Sequence, residues 1–146
     1  MWKLRVVRER APETEYGNGT RMGSPAEVWA GFRDHFATLD REIFAVVILD
    51  QKHRMIGYHQ VSEGCLTVTV VHPREVFKAL ILSNAAAFIA MHNHPSGDPT
   101  PSAEDVQLTK RLRELAELIG IRLLDHIIFG DGKYCSMQED GYWSTT

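Results

Sequence analysis

Apolar positions recur along the chain with two periods, and the switches between them mark out the elements. Residues 3–9 alternate apolar and polar side chains as a strand does, and residues 11–23, APETEYGNGTRMG, then collect Gly, Pro and polar residues as a loop does. At Ser24-Pro25-Ala26-Glu27 an N-cap hydroxyl precedes a proline at the first helical position, with a glutamate placed to complete a capping box. Val28, Trp29, Phe32, Phe36 and Leu39 then share one face at helical spacing, which predicts a helix packed on a core. IFAVVIL, residues 43–49, is an unbroken apolar run rich in β-branched residues and predicts a central strand buried on both faces. After a turn at 50–53, residues 54–62 and 65–71 read as two further strands joined through Gly64.

Pro73 opens a second helix with Val76, Phe77, Leu80 and Ile81 on one face, and residues 86–94 form a strand that stops at Pro95. A turn-rich loop over 95–101 leads to Ser102, which caps a long helix ending at Gly120, with Leu108, Leu112, Leu115 and Ile119 as its buried stripe. Residues 121–129, the Gly130-Asp131-Gly132 turn and residues 133–137 predict a closing hairpin. Strands and helices alternate without a strict βαβ rhythm. The expected architecture is α/β of the α+β kind, a mixed β-sheet flanked by helices, in one domain over residues 1–146 without internal repeats.

Composition narrows the function more than the fold. With 44% hydrophobic and 24% charged residues the chain is that of a soluble globular protein. A net charge of −3 and a pI near 6.1 argue against a protein built to lie on phosphate backbones, so a nucleic-acid partner is not favoured, although a local basic patch is not excluded. Cys65 and Cys135 lie far apart with no CxxC pair, which disfavours a disulfide scaffold or a thiolate zinc site and leaves them as buried, inert thiols. The start, MWKLRVVRER, mixes charge into its apolar residues and has no signal-like apolar region, and no run approaches the roughly 20 residues needed to cross a bilayer. A cytoplasmic protein without a membrane partner is the expectation.

The chemistry concentrates in His92-Asn93-His94-Pro95-Ser96-Gly97-Asp98-Pro99-Thr100-Pro101-Ser102-Ala103-Glu104-Asp105. Side chains two apart on a strand share a face, so His92 and His94 project together from the strand end while Asn93 points to the other face. A stiff Pro- and Gly-containing loop turns the chain back and places Asp105 in the first turn of the next helix, where it is a legitimate third zinc ligand beside two imidazoles. Three protein ligands leave one coordination position for water, the pattern of a catalytic site, and zinc brings the pKa of such a water to about 7. A carboxylate must take its proton, and Glu42, at the head of the 43–49 strand, is the best candidate. Plainer readings stand beside these. Glu42 follows Asp40 and Arg41 and can be one of a solvated charge cluster; Asp105 can be a surface carboxylate favoured by the helix dipole; Ser102 can simply cap.

Residues 92–105, with Leu124-Asp125-His126 and Gly130-Asp131-Gly132, resemble the RadC-like branch of the JAB/MPN (JAMM) metalloprotease-like domains over about residues 24–138. The family motif of a glutamate, His-x-His, seven residues and Ser-x-x-Asp maps onto Glu42, His92, His94, Ser102 and Asp105. The resemblance implies one Zn²⁺ per chain on His92, His94 and Asp105, Glu42 as acid/base, and Ser102 as a donor to the oxyanion of a tetrahedral intermediate. It also implies a hydrolase acting on an amide, peptide or isopeptide bond, with a peptide or protein-conjugate substrate. The historical association of this branch with DNA repair supplies an alternative, a nuclease or accessory role, and a non-catalytic MPN scaffold is a third. Longer relatives carry an N-terminal helix-hairpin-helix region; the forty or so residues before Glu42 lack the paired helices around a Gly hairpin that it needs, so that module is expected to be absent. Asp125-His126 is a second pair that can supply an outer carboxylate or an extra ligand, but such a histidine is more often a satisfied strand residue, and the pair is left out of the metal set. Lys110, Arg111 and Arg113 read as the solvated face of the helix that follows the site.

Overall fold

The computed structural model describes residues 1–3, 5, 19–64 and 71–143; the strands expected over 3–9 and 65–71 fall almost wholly outside them. Helix α1 spans Pro25–Ala37, followed by strands β1 (Ile43–Leu49) and β2 (Met55–Glu63), helix α2 (Pro73–Leu82), strand β3 (Ala87–Asn93), helix α3 (Ala103–Ile119), and strands β4 (Arg122–Phe129) and β5 (Tyr134–Ser136). The strands form one mixed sheet in the order β2-β1-β3-β4-β5. β3 and β4 are parallel with α3 as their crossover, and every other neighbouring pair is antiparallel. This is the helix-flanked mixed sheet expected from the pattern.

Two apolar layers sandwich the sheet. Val28, Phe32 and Phe36 of α1 pack on Ala45, Val47, Leu49, Ile89, Met91, Ile127 and Phe129. On the opposite face Val76, Phe77 and Leu80 of α2 and Leu112 and Ala116 of α3 cover Phe44, Val46, Ile48, Phe88 and Ala90. β1 and β3 are buried at every position because both faces are covered.

The buried helix stripes are narrower than the periodicity suggests. Ile81 and Ile119, expected in the core, are exposed: Ile81 follows the fully buried Leu80, and Ile119 lies between the buried Ala116 and Ile121, so both sit on the outer side of segments that still pack on the sheet. Ser24 caps α1 by accepting from the Glu27 N–H, but Glu27 turns its carboxylate to the Ser24 hydroxyl rather than to its backbone N–H. Cys135 is buried and burial pushes its thiol up to about 12, in keeping with an inert cysteine; Cys65 lies outside the described residues. Among the described residues no helix is long and apolar enough to cross a membrane.

Candidate metal centre

The site grows from the end of β3. His92 is buried on the sheet face that α2 and α3 cover, level with Phe44 of β1. His94 stands one residue beyond the strand, and the two rings lie 4.7 Å apart, centroid to centroid. The His94 N–H donates to the Phe129 carbonyl at 2.9 Å, so the strand line continues through the histidine although the ladder has ended.

The following loop is held by its glycines. Gly97 takes φ +89°, its N–H donates to the His94 carbonyl, and its carbonyl accepts from the Asp131 N–H at 2.8 Å. A Cβ at Gly130 would collide with the Gly97 carbonyl and the Pro99 ring. The loop and the turn after β4 therefore pack backbone to backbone, and the chain is delivered to the start of α3 on a rigid path.

There Ser102 and Asp105 form a reciprocal capping box. Ser102 Oγ accepts from the Asp105 N–H at 3.1 Å, and Asp105 Oδ2 accepts from the Ser102 N–H at 2.8 Å. The same Oδ2 lies 3.0 Å from His94 Nε2, and Oδ1 lies 3.5 Å from His92 Nδ1. Glu42, largely shielded with 13% of its side chain exposed, sets Oε1 against His92 Nε2. One donor atom from each of Glu42, His92, His94 and Asp105 falls within 4.8 Å of the other three. All four residues singled out from the motif for metal and proton chemistry thus converge, and Ser102 sits at their edge.

The donor set suits a cation. His94 Nδ1–H donates to the Asp98 carbonyl at 2.8 Å, which leaves Nε2 with a lone pair in the neutral ring, aimed at a carboxylate oxygen. A lone pair facing a carboxylate is repulsive unless a positive charge lies between them. Either a proton or a divalent ion meets that need, and borderline-soft nitrogen with hard carboxylate oxygen is the usual zinc donor set. The His94-to-carbonyl bond is the kind of outer contact that fixes the tautomer of a metal-ligating histidine.

A family model, the RadC-like JAB domain, matches residues 22–142. The chain belongs to that family. Similar proteins include a UPF0758 protein of Pelobacter propionicus, 52% identical over 85% of this chain and 54% of the relative. A UPF0758 protein of Geotalea uraniireducens is 48% identical over 83% and 53%, and one from Caldanaerobacter subterraneus subsp. tengcongensis is 46% identical over 87% and 54%. The chain spans about half the length of the curated relatives it matches.

Within this RadC-like JAB domain, Asn93 does more than face away from the histidines. Its Oδ1 accepts from the Ile43 N–H and its Nδ2 donates to the Arg41 carbonyl, both at 2.8 Å, so one buried side chain grips the backbone on either side of Glu42. The sequence signal for it was an amide between two histidines. What that amide reaches, fifty residues upstream, is a matter of strand pairing. Asp125 and His126 are both buried; the Asp125 carboxylate accepts from the His126 and Gln138 N–H groups and from the Ser136 hydroxyl, tying β4 to the turn after β5. Arg113, read as part of a solvated face, lies with its guanidinium 4.2 Å over the Trp143 ring. Beside His94 opens a cleft of about 580 Å³ between α1 and the 95–97 and 130–132 segments, floored by Trp29, Phe36 and Phe129 and edged by Arg33 and Asp131.

Charge in the RadC-like domain is finely opposed. Burial acts to raise the Asp105 carboxyl, but the His94 contact, the nearby His92 charge and the Ser102 N–H outweigh it and hold it well below the usual carboxylate range. His94 is raised by the same contact against the effect of burial. His126 is pushed down to about 3 by burial, with His92 acting the same way. These directions predict how metal-free stability should vary with pH. A raised His94 gives stability that is complete below the unfolded histidine value of about 6.5 and disappears as pH climbs through its folded value. The depressed His126, aided in the same direction by His35 and His59, costs stability as pH falls below about 6.5, because the unfolded chain takes up the protons. Asp105 adds a further loss once pH drops below about 4. Thermal melts of chelator-treated protein between pH 5 and 8.5 are therefore expected to peak near pH 6.5. Added zinc should remove the alkaline decline, since a metal replaces the proton that His94 gives up. A melting temperature that keeps rising to pH 8.5 without metal would contradict this assignment of charge.

Proposed function

We propose that this domain is a zinc-dependent hydrolase of the JAMM type, cleaving an amide-like bond in a peptide or an isopeptide-linked protein conjugate. The observation that carries the reading is the pinned His94 ring, whose Nε2 faces the Asp105 carboxylate while His92 and Glu42 close the other side. His92, His94 and Asp105 would hold the ion, and Glu42, whose Oε1 faces His92 Nε2, would be the proton-accepting partner beside them. Zinc in such a site supplies Lewis acidity and a water acidic enough to act as a nucleophile near neutral pH.

The remaining steps belong to the chain. Glu42 accepts the proton of the attacking water and returns it to the leaving nitrogen, a role suited to a carboxylate that is partly shielded yet still reachable. Ser102 uses an oxygen lone pair for the cap, which leaves its O–H free to donate to the oxyanion that develops on the scissile carbonyl. Capping and catalysis are thus compatible in one residue. Asn93 holds Glu42 in place through the backbone, and the cleft beside His94, with an aromatic floor and charged rim, can seat an extended polypeptide segment.

The test is hydrolysis of a panel of fluorogenic peptide and isopeptide substrates by protein carrying one zinc per chain. Activity should vanish on chelation and return with stoichiometric zinc. Cleavage that persists after complete removal of metal would overturn the reading.

A further inference from the structure

His126 is the fully buried titratable group that the proposed chemistry leaves unused, and its surroundings are specific. It sits on β4 opposite Ala90 of β3, two pairs deeper than His92 and on the same sheet face, edge-on to Phe44 at 5.6 Å. It lies outside the group of four donors. Its Nδ1 is 2.6 Å from Thr109 Oγ1, which is itself 2.7 Å from the Asp105 carbonyl. A hydroxyl has one proton and a carbonyl can only accept. Both short contacts are hydrogen bonds together only if Thr109 O–H donates to Asp105 and His126 Nδ1–H donates to Thr109.

That arrangement leaves His126 Nε2 as a bare acceptor. Among the described residues it is buried without a hydrogen-bond partner; so is His92 Nδ1, which lies 3.5 Å from Asp105 Oδ1 without bonding it, on a ring whose centroid is 5.7 Å from that of His126 with the planes 35° apart. Buried nitrogens without partners are rare, and here two of them occur on adjacent rings, one of them necessarily an acceptor.

We propose that His126 is a positioning residue of the metal centre: with the ion bound, its Nε2, which makes no hydrogen bond in the structure, accepts from His92 Nδ1–H and so commits His92 Nε2, the nitrogen facing Glu42, to the ion. The resulting chain runs from His92 through His126 and Thr109 to the Asp105 carbonyl, linking two of the residues that would hold the metal. Outer contacts of this kind orient metal-binding imidazoles, and their loss typically weakens metal binding roughly 10–100-fold. The inference rests on the metal-centre reading above, and its test separates the two.

The decisive measurement is long-range ¹H–¹⁵N NMR of zinc-loaded protein labelled at histidine. It should show His92 protonated at Nδ1, His126 protonated only at Nδ1, and a nitrogen–nitrogen scalar coupling from His92 Nδ1 to His126 Nε2. In His126→Phe the coupling disappears, and zinc affinity by chelator competition falls 10–100-fold. Should that variant fold poorly, Thr109→Val is expected to weaken zinc binding in the same direction while Thr109→Ser restores it, a contrast that side-chain volume does not produce. His92 bound to zinc through Nδ1, or equal zinc affinity in Thr109→Val and Thr109→Ser, would overturn the proposal. Wild-type protein that binds no zinc would overturn the metal reading and the positioning role together, and His126 protonated at Nδ1 in that sample would leave only the hydrogen-bonded pair with Thr109.

Discussion

Replacing His94 by alanine should strip the domain of stoichiometric zinc. His94 shares Oδ2 of Asp105 across 3.0 Å and is held by the Asp98 carbonyl, so its Nε2 cannot be supplied by another side chain after truncation. Two protein donors, His92 and Asp105, would remain of the proposed three. The fall in affinity should exceed the roughly 10–100-fold that outer contacts contribute, and elemental analysis after gel filtration should find well below one zinc per chain. His92→Ala is expected to behave alike. The fold should survive both changes, because the two rings lie at a strand end while the apolar layers above and below β1 and β3 are untouched. A His94→Ala protein that still carries one zinc at the same affinity would remove this histidine from the site.

Glu42→Gln should separate binding from chemistry. The amide keeps the size of the carboxylate and the backbone grip of Asn93 on residues 41 and 43, so zinc should stay. An amide cannot take a proton from water, and loss of a general base costs about 10²–10⁴-fold in turnover. The expected result is one zinc per chain, an unchanged KM and a kcat lower by that factor. Full activity in this variant would mean that the proton leaves by another route, and the proposed role of Glu42 would fall with it.

Much of this molecule could be read from one dimension. The HxH spacing on a strand, the proline- and glycine-rich return and the acid in the first turn of a capped helix are all local, and local rules of side-chain direction and capping place His92, His94, Ser102 and Asp105 within a short stretch of chain. The same holds for the two-sided burial of IFAVVIL and for the Gly130-Asp131-Gly132 turn. Helix stripes were less faithful, since Ile81 and Ile119 keep the periodicity but lie on the outer side of segments whose neighbours Leu80, Ala116 and Ile121 fill the core.

What lies fifty residues apart could not be read that way. Glu42 reaches His92 because β1 pairs antiparallel with β3 in the register Phe44 to His92, and because Asn93 binds the backbone on both sides of the glutamate. His126 lies beneath His92 because β4 runs parallel to β3 and α3 drops Thr109 onto it. Sequence by itself determined which side chains can bind a cation and cap a helix, since those properties depend on residue type and spacing along a single element. Tertiary structure alone decided which nitrogens and oxygens face one another, because strand register and helix packing are set by the burial of the whole apolar surface and not by the residues that meet as a result.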